Sequence, residues 1–319
     1  MTAPRPSPSR SSALPASRLG FIVLALLAAL GGVLLAVIVA MFWREAGDDL
    51  AYWLGGYRLW NGLPVYPDPS VAFENFAFHY VPPVAQVLAP VAAVVAAVPF
   101  LIAFRAALLV ALWDLAGRRM LDLLAMLAFV PLAYSLRVEN VEIFMAIAVV
   151  YGLARWPWAF LIGGLVKVSP GLGLVYLALQ RRWRDVVVSA ILGAAIVGVS
   201  YVLAPDLWRD WLAAINGRSN VVGNSIVPLP YSVRAIAGFV LAVVGGLVGR
   251  RRGELLLVAG VTVANPGLSL QGFAVLAAAV PVWRAGPDGL LARRGQSLNT
   301  EPGAYLRSQS RDERGVSGT

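Results

Sequence analysis

The chain has no cysteine, one histidine (His79) and one lysine (Lys167). Without cysteine there is no disulfide framework, and no thiolate nucleophile or thiolate metal site. A single imidazole leaves little for a transition-metal centre. Charge is also scarce: 13% of the 319 residues are charged against 59% hydrophobic, and mean hydropathy is +0.73. A chain of that composition cannot clothe a water-soluble globule, so an all-α polytopic membrane protein is expected. The net charge of +9 would suit nucleic acid, but the arginines fall in short clusters between apolar runs and in the tails. That is the pattern of cytoplasmic loops, and no nucleic-acid partner is expected.

What is abundant is apolar sequence. Residues 1–18, rich in Pro and Ser with Arg5, Arg10 and Arg18, read as a disordered cytoplasmic tail. Leu19 to Trp43 is long enough to cross a bilayer of roughly 30 Å, and no small-residue cleavage site follows it, so it reads as an uncleaved span with its N-terminus inside. Apolar runs recur to Arg284, giving a transmembrane domain over 19–284 with about ten crossings. Residues 285–319 read as a second disordered, basic cytoplasmic tail. Charge bias favours a topology in which Arg118-Arg119, Arg155, Arg181-Arg182-Arg184 and Arg250-Arg251-Arg252 lie inside. It requires Pro83 to Val98 to be re-entrant or interfacial and Gly163 to Pro170 to be a turn between two short helices. The opposite face then gathers Asp48-Asp49, the turn Arg137-Val138-Glu139-Asn140-Val141-Glu142, Lys167, the loop from Pro205 to Pro230, and Asn265-Pro266-Gly267.

Several of these residues can carry chemistry. Asp48 and Asp49 follow the first span, where carboxylates cost free energy unless they meet solvent or a partner; Asp48 can also simply favour the first turn of an interfacial helix. Between Arg44 and Tyr80 the chain is dense in aromatic rings, including Tyr52, Trp53 and Tyr80. Such rings prefer the membrane boundary, where short interfacial helices are expected, and would suit a sugar. Lys167 lies within GGLVKVSPGLG, and a lysine at mid-helix costs roughly 2.5–3.5 kcal/mol to insert. It therefore needs an anionic partner, a wet break in the helix, or a route to snorkel to the interface. Arg105 and Arg234 sit in or beside apolar runs, where each can pair with phosphate or anchor at the interface. Glu139 and Glu142 can position an acceptor, bind a cation or cap a helix.

The ordered pieces GDDLAYWLGGYRLWNGLPVYPDP, FHYVPPVAQVLAP, ENVEIF, LVKVSPGLGLVYLALQRRWRD, GNSIVPLPYSVRAIAG and ANPGLSLQGFAV resemble the family-87 glycosyltransferases. These are multi-pass enzymes of the GT-C type that include polyprenyl-phosphate-mannose-dependent mannosyltransferases of phosphatidylinositol mannoside synthesis. The resemblance implies a GT-C fold with interfacial helices in the first extracytoplasmic loop, in an inner (plasma) membrane. In that family an aspartate of this loop acts as base, and the spacing to Tyr52, Trp53, Gly56 and Gly62 selects Asp48, with Asp49 in reserve. The family's Lys-x-x-Pro piece maps to Lys167 and Pro170. Its Gly-Gln/Asn-Val-Asn/Asp turn maps to Glu139-Asn140-Val141-Glu142, which departs from it at the glycine.

The activity so implied is transfer of a sugar, an α-mannosyl group foremost, from a polyprenyl-phosphate donor to a hydroxyl of a glycolipid or glycan acceptor on the outer face. Lys167, Arg234 and Arg105 are the expected phosphate contacts. Tyr52, Trp53, Tyr80, Glu139, Asn140, Glu142 and Asn224 are the expected sugar and lipid pocket. No cofactor and no obligatory divalent metal are expected, since the donor carries no nucleotide diphosphate. The rival from another class is a transporter or flippase, which predicts topologically paired halves; no clear internal repeat is present.

Overall fold

The computed structural model describes residues 47–66, 78–218, 226–266 and 268–292, with Gly32 alone of the preceding stretch. The expected first span, residues 1–18 and 293–319 of the tails, and Asn224 lie outside the described residues; residues 285–292, placed in the C-terminal tail by sequence, pack back on α12, where the Leu290 and Leu291 N–H groups donate to buried Glu254 at 2.8 Å. Within them the secondary structure is entirely helical: α1 (Asp48–Trp60), α2 (Pro82–Val94), α3 (Ala97–Leu115), α4 (Met120–Leu127), α5 (Val130–Arg137), α6 (Glu142–Ala154), α7 (Trp158–Val166), α8 (Leu172–Leu179), α9 (Trp183–Leu203), α10 (Pro205–Arg218), α11 (Tyr231–Val248), α12 (Arg250–Val263) and α13 (Ala279–Arg284), with 3₁₀ segments at Ser169–Gly171 and Leu270–Ala278.

Proline and glycine decide where these helices stop. Pro82 and Pro83 open α2 at positions where a missing N–H costs nothing. Gly62, at φ +67°, follows the end of α1, and Gly249, at φ +63°, makes the corner between α11 and α12. At Lys167 the backbone turns extended, and Ser169-Pro170-Gly171 follows as a tight 3₁₀ turn before α8. Proline cannot donate to the preceding turn and disfavours helical geometry at the residue before it. The chain therefore forms two short helices with a break at its only lysine, as the sequence predicts.

Among the described residues three helices, α3, α9 and α11, are long and apolar enough to cross a membrane; α4 and α5, bent by 88° across Ala128-Phe129, would make a fourth. That count is made among the described residues, where breaks of the kind seen at Lys167 divide other apolar runs into helices too short to span singly.

The closest helix packing relies on small residues. α11 and α12 form the closest hairpin: a Cβ on Gly238 would stand 2.5 Å from Gly260 O, and one on Gly245 would stand 2.6 Å from Gly253 O. Small residues let the two backbones touch, which is how helices associate where no hydrophobic drive separates lipid from side chain. α9 by contrast buries little of itself and presents Val187, Ile191, Val199 and Val202 outward, as a lipid-facing helix does.

This packing sorts the chain by end. Arg284 Nη1 donates to Ala116 O at 2.9 Å, Tyr151 Oη donates to Asp114 Oδ2 at 2.7 Å, and Gln180 caps Gly246 O. The arginine clusters at 118–119, 155, 181–184 and 250–252 are thereby gathered at one end. Asp48, the 138–142 turn, Lys167, Arg234 and Asn265 meet at the other. The 18 residues of α11 separate the two by roughly 27 Å.

Candidate active site

The site is built where α1 begins. Gly47 is buried and leads into the two aspartates, whose carboxylates in the first turn complement the helix dipole. The Asp48 N–H donates to Val138 O at 3.0 Å, and Asn140 Nδ2 donates to Asp48 Oδ2 at 2.7 Å. α1 is thus tied twice to the turn between α5 and α6. That turn is constrained: Glu139 holds φ +52°, a left-handed conformation that costs a non-glycine residue about 1–3 kcal/mol. A Cβ at position 47 would overlap the Glu139 carboxylate, so glycine at 47 is required by the close approach.

The two aspartates have different surroundings. Asp49 is fully buried; its Oδ1 accepts the Gly47 N–H at 3.0 Å and its Oδ2 accepts Arg105 Nε at 2.8 Å. Glu139 Oε1 lies 3.9 Å from the same Nε. Asp48 is half-buried and held by the Asn140 amide, so it is the carboxylate of the pair that an incoming molecule can reach.

Lys167 completes the cluster. Its ammonium forms an ion pair with fully buried Glu142 and stands 3.5 Å from Asn140 Oδ1. Asn140 therefore bridges Asp48 to Lys167 through the two ends of one amide. Asn265, also fully buried, donates Nδ2 to Glu142 Oε1 at 2.8 Å, and Arg234 in turn clamps Asn265 O at 2.6 Å and Pro266 O at 3.0 Å. Two buried acceptors beside Lys167, Glu142 Oε2 and Asn265 Oδ1, have no hydrogen-bond partner among the described residues. Among those residues no group of three His, Asp or Glu side chains could hold a metal ion.

The Tyr52 and Tyr80 hydroxyls bond to each other, and Tyr52 stacks on Phe104 with centroids 5.2 Å apart. Burial, reinforced by its neighbour Tyr80, pushes the Tyr52 hydroxyl well above the ordinary tyrosine value; burial raises Tyr80 as well, against the opposing pull of Lys167. Both stay protonated at physiological pH and serve as hydrogen-bonding groups, not as bases.

The structure thus brings together Asp48, Asn140, Glu142 and Lys167, with Asp49, Glu139 and Arg105 directly behind. Three residues expected at the site also have partners within the protein. Arg105 is buried with its Nε against Asp49 and Glu139, and Arg234 directs its guanidinium to backbone carbonyls. Trp53 turns its indole N–H to Val95 O at 2.9 Å and stacks on Tyr57, which commits it to the junction of α2 and α3. Asn265 is the site residue that sequence reasoning did not assign. The signal available for it was an asparagine before Pro-Gly at the end of an apolar run.

No curated protein and no solved structure matches the chain. A sequence profile described as glycosyltransferase family 87 matches residues 78–299, well over half the chain. The match takes in Tyr80, Arg105, the 139–142 turn, Lys167, Arg234 and Asn265 and begins downstream of Asp48. With a polar, ion-paired cluster at one end of an apolar helical bundle and a family match over most of its length, the chain is a membrane glycosyltransferase and belongs to glycosyltransferase family 87.

Proposed function

We propose that this protein transfers one sugar, an α-mannosyl group foremost, from a polyprenyl-phosphate donor to a hydroxyl of a glycolipid or glycan acceptor, with Asp48 as general base. It does so on a GT-C scaffold of about ten crossings in the inner (plasma) membrane. The observation that carries this reading is the contrast between the aspartates: Asp49 is sealed against Arg105, whereas Asp48 is half-buried and coupled to Lys167 through Asn140.

In the reaction the acceptor hydroxyl attacks C1 of the sugar while Asp48 takes the hydroxyl proton. The new C1–O bond forms as the bond from C1 to the phosphate oxygen breaks, and the electron pair leaves with the polyprenyl phosphate. A single displacement inverts C1, so a β-linked donor gives an α-linked product. Lys167 is the cation placed to meet the charge growing on that phosphate, while Glu142 and Asn140 hold its ammonium in position. Asn265 in turn holds Glu142 from the buried side. Lys167, the least buried of the three candidate cations, is the principal phosphate contact. The active face is extracytoplasmic, because the arginine clusters, which favour the cytoplasm, lie at the opposite end.

The test is Asp48→Asn in membranes supplied with radiolabelled polyprenyl-phosphate mannose. Loss of a general base lowers turnover by about 10²–10⁴, with protein level unchanged. Retained transfer removes Asp48 from the mechanism. Label that moves across the bilayer with no covalent product would instead support a transporter or flippase, and activity with an arabinose donor alone would reassign the sugar.

A further inference from the structure

The arginine end holds a cavity for which the chemistry at the opposite end has no use. It encloses about 590 Å³ between α4, α5, α12 and the segment running from Leu270 into α13. Its wall is hydrocarbon and aromatic: Met126, Phe129, Leu132, Leu255, Leu276 and Val280. Polar groups enter at one side only, where Asp122 and Arg284 form an ion pair beside Trp283. Arg119 Nε stands 3.4 Å from Asp122 Oδ2, and the Arg251 guanidinium lies 4.2 Å over the Trp283 ring. Phe129 and Trp283, which line it, are exposed, so the cavity opens on the outside of the bundle.

We infer that this cavity binds one acyl chain of an anionic phospholipid whose phosphate is received by Arg119 and Arg251 at its rim. A volume of this size, apolar within and polar at one rim, is that of a ligand pocket. An indole at the mouth with a guanidinium stacked on it marks the depth of the lipid headgroups. Arg284 is paired with Asp122, and Arg119 and Arg251 add two further positive charges at the rim, so the local charge selects an anion over a zwitterion. Each arginine near the surface favours an anionic headgroup by about fivefold. The donor proposed above does not fill this role: its phosphate belongs at Lys167, the length of α11 away.

Native mass spectrometry of the purified full chain, titrated with phosphatidylglycerol and phosphatidylcholine of identical acyl chains, tests the inference. The wild type should retain one phosphatidylglycerol with at least about fivefold preference. Ala279→Phe, which fills the cavity from its half-exposed wall, should lose retention of both lipids. Arg119→Gln, which disturbs no packed residue, should keep the chain bound but lower the preference about fivefold, with an unchanged thermal melt. Equal retention of the two lipids by the wild type overturns the inference. So does wild-type retention by Ala279→Phe, or the co-purification of a prenyl chain in the cavity in place of an acyl lipid. Each outcome is independent of transferase activity.

Discussion

At the residue scale, one carboxylate at the start of α1 is held inside the structure and its neighbour is turned toward the substrate side. Asp49 and Arg105 are 56 positions apart yet mutually buried. Removing one partner of such a pair leaves the other charge unmatched in a dry interior, which costs about 3–5 kcal/mol, whereas replacing both with apolar groups of similar volume is close to neutral. Arg105→Ala should therefore lower the thermal unfolding temperature of the purified protein sharply. The double variant Asp49→Leu with Arg105→Met should recover part of that loss, the remainder reflecting buried Glu139, which also lies against Arg105. Equal destabilisation by the single and double variants would mean that the pair is not the anchor described here. Asp48 was legible in the sequence because a carboxylate after an apolar run stands out. Its separation from Asp49 was not, since nothing local to GDDLAY says which carboxylate meets an arginine in a later helix. Asn265 was equally hidden: its role rests on a bond to Glu142, 123 positions away.

At the scale of elements, breaks and close approaches matter more than helix propensity. The break at Lys167 was readable because Pro170 and its flanking glycines announce it, and the structure places the ammonium there against Glu142. The α11–α12 hairpin was not readable as a contact, because GxxxxxxG spacing shows its purpose only once the partner helix is known. Gly238 faces Gly260 O and Gly245 faces Gly253 O, with no room for a side chain at either crossing. Gly260→Val should force the helices apart. Because α11 carries Arg234 and α12 leads into Asn265, the separation should loosen the clamp on Glu142. The expected outcome is a fall in transferase activity together with a lower melting temperature, whereas Gly198→Val, on α9 where nothing lies within 4 Å, should leave both unchanged. A tolerated Gly260→Val would show that close backbone contact is not what holds these two helices.

At the scale of the whole molecule, two chemically distinct ends are held apart by apolar helices, and the absence of cysteine makes that arrangement directly measurable. The segregation was largely legible in sequence: polar turns and arginine clusters alternate along the chain, and charge bias assigns them to opposite faces. The number of crossings was not, because an apolar run does not reveal whether it spans straight, bends as α4 and α5 do, or breaks as α7 and α8 do. With no native thiol, a single introduced cysteine reports its own side of the membrane. Val168, exposed beside Lys167, and Arg184, exposed at the start of α9, mark the two ends. Val168→Cys should react with a membrane-impermeant maleimide in intact cells, and Arg184→Cys only after the membrane is opened. The reverse pattern would place the Asp48 cluster on the cytoplasmic side, away from a donor and acceptor in the outer leaflet. Labelling of both from one side would contradict the separation of the two ends itself.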